Sequence, residues 1–137
     1  MTKDRLPSLR EIPLFAEFSE EALAGVFDIA TEIACPAGTV LALADDAGSG
    51  MFVVKEGTVA VDLRGGTSIE LGPGEFVGEL TLLVPDAHRV GRVRALTEVR
   101  CLAIGREDFA RLLHAEPQLA VAMLPVLARR LFDAIQP

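Results

Sequence analysis

Between Thr31 and Ile104 the chain is a succession of short runs rich in valine, leucine and threonine, each closed by a glycine or a polar turn. Val59, Val61 and Leu63 alternate with Thr58, Ala60 and Asp62, which is the two-residue period of a strand with one buried face. Ile69 and Leu71 alternate in the same way with Ser68 and Glu70, and Gly65 with Gly66 between the two runs predicts a two-residue hairpin. Further strands are predicted at 39–43, after a turn at Pro36 to Gly38, at 51–54, after a loop at 45–50, and at 99–104, with another turn at Glu56 and Gly57. Short strands at this spacing predict a sandwich or barrel.

Towards both ends the period becomes helical. Over residues 6–18 Pro13 interrupts the pattern after Ile12, leaving Leu14, Phe15 and Phe18 as apolar anchors for the main body. Ser19 is a good N-cap, Glu20 and Glu21 suit the first turn of the helix it opens, and Leu23, Val26, Phe27 and Ala30 form its apolar stripe. Past the last strand, Gly105 precedes a helix with Glu107 and Asp108 early, Phe109, Leu112 and Leu113 on one face, and His114 in its final turn, where a cation complements the dipole. Pro117 fits the first position of a closing helix that reaches about Ala134. That helix is apolar on more than one side, through Leu119, Val121, Met123, Leu124, Val126, Leu127, Leu131, Phe132 and Ile135. Pro125 has no amide hydrogen for the Val121 carbonyl and predicts a bend or break.

The candidate chemistry lies in residues 72–95, GPGEFVGELTLLVPDAHRVGRVRA. Pro73 and Gly74 form a turn; Phe76 and Val77 are briefly extended and stop at Gly78, where a residue without a Cβ lets backbone approach a ligand. A short helix over 79–83 would offer unpaired amides suited to a phosphate. Arg89 then leads a strand face shared with Gly91, Val93 and Ala95; its planar fork suits a phosphate, and Gly91 leaves room beside it. Glu79 can accept hydroxyl protons from a sugar. Without a ligand, the same acid and arginine would close the loop as an internal ion pair.

These residues resemble the phosphate-binding cassette of cyclic nucleotide-binding domains, whose pattern is roughly F-G-E, a short apolar helix, then R-(S/T/A)-A-x-V. Phe76, Gly78, Glu79, Leu80, Leu82, Arg89 and Val93 stand at matching positions. The resemblance implies a double-stranded β-helix, or jelly roll, mainly β with flanking helices, forming a single domain over 1–137: a helical segment at 6–30, the β-roll at 31–104 and C-terminal helices at 106–135. It implies a ligand site of Gly78, Glu79, Leu80, Arg89 and Val90, with Glu79 on the ribose 2′-hydroxyl, Arg89 on the cyclic phosphate and the backbone of Gly78, Glu79 and Leu80 adding donors. Three departures stand out. Val77 adds a residue before Gly78, Val90 replaces a serine, threonine or alanine and so removes a hydroxyl, and Gly91 stands where alanine is common. In transcription regulators of that family a helix-turn-helix domain follows, whereas this sequence stops at Pro137; in some members hydroxyl residues on the long helix meet the purine, and the matching Ala134 and Ile135 offer none.

Composition narrows the functions. With 137 residues, 50% of them hydrophobic, the chain suits one domain and one core. A net charge of −7, with Lys3 and Lys55 as the lysines and no tryptophan or tyrosine, argues against a nucleic-acid partner. Arg92, Arg94 and Arg100 read as solvated faces. The opening MTKDRLPSLREI lacks a signal-peptide core and no run is long enough to span a bilayer, so a cytoplasmic protein without a membrane partner is expected. Cys35 and Cys101 have no ligand-like spacing to each other or to His88 and His114 and read as small buried apolar residues; no metal, cofactor or catalytic constellation is indicated.

The expectation is therefore a non-enzymatic, stand-alone sensor that binds a cyclic nucleotide, cAMP or cGMP, and signals through its C-terminal helices. Its partner would be a second copy, through residues 126–135, or an unidentified protein. The alternatives are an interaction module that keeps the fold without a ligand, and the sensor half of a longer transcription regulator.

Overall fold

The computed structural model describes residues 8–42, 50–63, 65–84 and 91–136. After a 3-10 turn at Pro13–Phe15 come helix α1 (Glu20–Ile29) and strands β1 (Thr31–Cys35), β2 (Val40–Ala42), β3 (Gly50–Glu56), β4 (Val59–Leu63), β5 (Ser68–Leu71) and β6 (Phe76–Val77). The one-turn helix α2 (Leu80–Leu83), strands β7 (Gly91–Ala95) and β8 (Val99–Gly105), and helices α3 (Arg106–Ala115) and α4 (Gln118–Ile135) complete the order. The chain divides into two compact units, Ile29–Phe109 and, together, Met1–Asp28 with Ala110–Pro137.

The first unit holds two four-stranded antiparallel sheets, β1-β8-β3-β6 and β2-β7-β4-β5, the jelly roll expected from the sequence. Alternate residues of both sheets meet in one cluster: Val54, Val99 and Cys101 from the first, Val59, Val61, Leu71, Val93 and Ala95 from the second. Each buried branched side chain there contributes about 1.5–3 kcal/mol of transfer free energy. Both cysteines are buried, as expected, and burial, with Cys35 nearby, pushes the Cys101 thiol up to about 11.

Several local expectations change. β3 is longer than 51–54 because Lys55 and Glu56 stay in the sheet, Glu56 opposite Arg100, and the turn waits for Gly57. Gly50 begins that strand, and the rest of the expected 45–50 loop, like Leu43 of the expected second strand, lies outside the described residues. The β4–β5 hairpin is closed by the Leu63 N–H donating to the Thr67 carbonyl at 2.8 Å, so three residues, 64–66, form the connection in place of two. β4 is not buried on one face alone, since Ala60 is 0% exposed. Ala60 lies opposite Arg94, whose fork reaches Asp62.

In the second unit the Ser19 hydroxyl accepts the Ala22 N–H at 3.1 Å, capping α1 as expected, and Ala22, Leu23 and Val26 are the buried residues of that helix. Pro13 opens the 3-10 turn; Leu14, Phe15 and Phe18 are buried, with the two rings edge to face at 5.4 Å, and Arg10 donates to the Phe18 carbonyl at 2.7 Å. Pro117 is the N-cap of α4, one place ahead of the expected position. The helix packs on the Pro13–Phe15 turn and is not broken at Pro125. Val121 and Pro125 face solvent, so the carbonyl that loses its intrahelical donor is open to water. Leu119 and Met123 are buried, whereas Val121, Leu124, Leu131, Phe132 and Ile135 are exposed. Among the described residues no helix is long and apolar enough to cross a membrane.

Candidate functional site

The cassette is hung from β3. Val53 and Phe52 pair with Phe76 and Val77, while the turn before them is fixed by the Gly74 N–H donating to the Val54 carbonyl at 2.8 Å and the Val54 N–H to the Glu75 carbonyl at 2.9 Å. The Glu75 carboxylate also accepts the Gly72 N–H at 2.7 Å. Four consecutive residues, 74–77, are thus set against one central strand before the chain reaches its special position. Gly78 has φ of 96°, the left-handed region that a Cβ disfavours, so its glycine serves the change of direction from β6 into α2.

Glu79 follows at once and is 4% exposed, the one buried charged residue among those described. Its carbonyl accepts the N–H groups of Leu82 and Leu83, each at 3.0 Å, which starts α2 one residue later than the expected 79–83. Burying a carboxylate is costly unless its oxygens are satisfied, and no buried side-chain nitrogen or oxygen among the described residues lacks a partner. Leu80 opens the helical turn. Gly78, Glu79 and Leu80 are therefore consecutive at a bend between strand and helix. Arg89, expected on the phosphate, and Val90, expected beside it in the ligand site, lie outside the described residues.

β7 begins at Gly91, and there the sequence reading needs correction. A Cβ built on Gly91 would lie 2.8 Å from the Asp62 carbonyl oxygen and 3.0 Å from side-chain atoms of Val61 and Leu63. The glycine is demanded by close approach of β4 to β7; it does not clear room for a ligand. Val93 and Ala95 are buried on its face, as the strand period predicted.

On the other face one carboxylate ties three strands. Asp62 accepts Arg94 Nε at 3.0 Å and Nη2 at 3.2 Å, Arg92 Nη2 at 3.2 Å and the Ser68 hydroxyl at 3.1 Å. The Arg94 bonds foremost hold the Asp62 carboxyl well below the usual carboxylate range, and Asp62 in turn raises Arg94. These arginines, expected as solvated, are half-exposed members of a cross-strand network.

One residue the periodicity placed on a buried face but the structure leaves open is Ile69. Its register partner is Val61, which is opposite Val93, so all three project to the inner face. Val61 and Val93 are buried; Ile69 is 47% exposed. Local alternation cannot reveal this, because burial of an edge-strand residue depends on what the facing sheet puts over it. Leu63, half-buried beside the same cluster as Val77, continues the apolar rim towards the cassette.

The sequence profile of the cyclic nucleotide-binding domain matches residues 32–116. A cyclic nucleotide-gated potassium channel of Mesorhizobium japonicum is 33% identical over 109 residues, covering 80% of this chain; the chain spans 30% of the channel's length. The N-terminal domain of a transcriptional regulator from Streptomyces coelicolor is 35% identical with a TM-score of 0.65, over 93% of this chain and 94% of that one. The Thermus thermophilus catabolite activator protein superposes with a TM-score of 0.76 at 29% identity, over 89% of this chain and 59% of that one. With the jelly roll, the left-handed glycine and the buried glutamate at the head of a one-turn helix already in place, the profile match over most of the chain makes it a member of the cyclic nucleotide-binding domain family.

Proposed function

We propose that this chain is a regulatory domain that binds a cyclic mononucleotide, cAMP or cGMP, at the bend between β6 and α2. The observation that carries the reading is Glu79: a carboxylate buried immediately after a left-handed glycine, at the head of a helical turn, on a roll that matches the family. In this reading Glu79 accepts a ribose hydroxyl, the amides of Gly78, Glu79 and Leu80 face the phosphate, and Arg89 supplies the counter-charge. Val90 contributes no hydroxyl, which costs the phosphate a potential donor. The chemistry is recognition, with no bond made or broken.

Calorimetric titration with each nucleotide tests it. Glu79→Gln and Arg89→Ala each remove a charge-assisted hydrogen bond and weaken binding at least about tenfold. Absence of heat from the parent protein at millimolar nucleotide defeats the proposal and favours an interaction module without a ligand.

The output surface we assign is α4, paired with a second copy. The exposed residues Val121, Leu124, Leu131 and Ile135 recur at alternating three- and four-residue spacing if Ala128 is counted, and Phe132 widens the stripe. The stripe supporting this pairing begins earlier than the expected 126–135, since Val126 and Leu127 are half-buried. Arg129 and Asp133 pair with each other along the helix at 3.7 Å, so self-association would bring no unbalanced charge from that pair into the seam. Light scattering at high micromolar concentration reads a dimer, and Leu124→Glu reads a monomer; a monomeric parent removes this part of the proposal.

A further inference from the structure

Met123 is the last buried residue of α4, and the C-terminal half of the helix is largely open. The stripe there runs through Val121, Leu124, Ala128, Leu131 and Ile135, with Phe132 beside it. Its large members are between 48% and 70% exposed. They open on the order of 600 Å² per copy, so two copies that cover each other's stripe completely bury about 1,200 Å² of it, the lower bound of a stable interface. The middle of an interface, where large and fully packed side chains ordinarily carry the binding energy, is here the emptiest place. Ala128 stands midway between Val121 and Ile135, so a two-fold seam that uses the whole stripe sets alanine against alanine between layers of leucine. The positions that flank such a seam, Pro125, Leu127, Phe132 and Ala134, carry no charge and so supply no ion pair to hold one partner in place.

We infer that α4 makes a transient contact between copies, one that dissociates in the micromolar range and lets copies trade partners, and that Ala128 sets its weakness. This rests on the pairing of α4 with a second copy proposed above. A permanent dimer needs a larger seam with a filled centre, and this stripe has neither. The apolar side chains at its two ends are enough to bring copies together when the protein is abundant. They are too few to keep the copies together when it is scarce. Pairing of this kind follows the concentration of the chain itself, and any copy exchanges its partner faster than the protein unfolds.

Sedimentation equilibrium from nanomolar to high micromolar protein tests it. The expected dissociation constant is about 1–100 μM. Isotope-labelled and unlabelled copies form mixed dimers within about a minute of mixing, read by native mass spectrometry. Ala128→Leu exchanges one good helix former for another at an exposed position, so the fold is kept, and by filling the centre of the seam it tightens pairing at least about tenfold. A parent dissociation constant below about 1 μM, or mixed dimers that need hours to appear, overturns the inference while the pairing itself stands. An Ala128→Leu variant that pairs no more tightly than the parent also overturns it, because the alanine would then serve close approach of the two helices. A parent that stays monomeric at high micromolar concentration removes the pairing, and this inference with it.

Discussion

The two faces of the sheet β2-β7-β4-β5 are built by alternate residues of the same strands, and they finish in opposite states. On the outside, Asp62 collects the forks of Arg92 and Arg94 and the hydroxyl of Ser68, so the polar residues of three strands satisfy one another. On the inside, the residues next to them in sequence bury Val61 and Val93 but leave Ile69 open. The outer face is complete by itself; the inner face is complete only at one end. A polar network on a strand face therefore marks architecture here, and the informative residue is the hydrophobic one that folding did not cover.

That contrast can be broken most severely at Gly91, where both faces depend on one close approach. Gly91→Ala forces a Cβ against the Asp62 backbone and should cost about 1–3 kcal/mol, read from the urea midpoint at unchanged slope. An unmoved midpoint would mean that β4 and β7 separate easily. On the outer face, Asp62→Asn should lower the melting temperature at neutral pH. The folded carboxyl titrates below its unfolded value near 4, so its contribution is complete above about pH 4 and is lost as the pH falls further. The gap between parent and variant should accordingly narrow from pH 6 towards pH 3; a gap that is flat with pH would show that the network acts by shape alone. The smallest effect belongs to the inner rim. Ile69→Ala, at an already exposed position, should change stability by no more than about 0.5 kcal/mol. A loss several times larger would place Ile69 in the core.

Features set by near neighbours in sequence were the ones the sequence could reveal. Ser19 caps α1 because the amide it meets is three residues away, and Gly78 could be singled out because a strand must turn into a helix there. The roll itself followed from strand periods and the cassette motif. Features set across strands were not visible. Gly91 looked like room for a ligand because only the facing Asp62 carbonyl shows otherwise, and the burial of Ala60, a small residue at a polar-face position, is not written in the alternation of its own strand. Pro125 predicted a bend or break, and α4 is not broken there but runs as one helix from Gln118 to Ile135. At the cassette the structure finds Gly78 left-handed and Glu79 buried, and the exposure of Ile69, named from the strand period as an apolar-face residue, showed only in the folded roll.

The two buried thiols offer a clock. Cys35 and Cys101 are the chain's only cysteines, and both lie inside the sheet β1-β8-β3-β6, with the Cys101 thiol pushed up to about 11. A thiol so placed reacts with an alkylating reagent chiefly when the strands part, so modification proceeds at the pace of opening. A ligand that binds the closed form alone slows that pace by the factor one plus its concentration over its dissociation constant. Mass spectrometry of labelled protein would then report occupancy of an unmodified site in a crude mixture, from a pair of buried sulfur atoms.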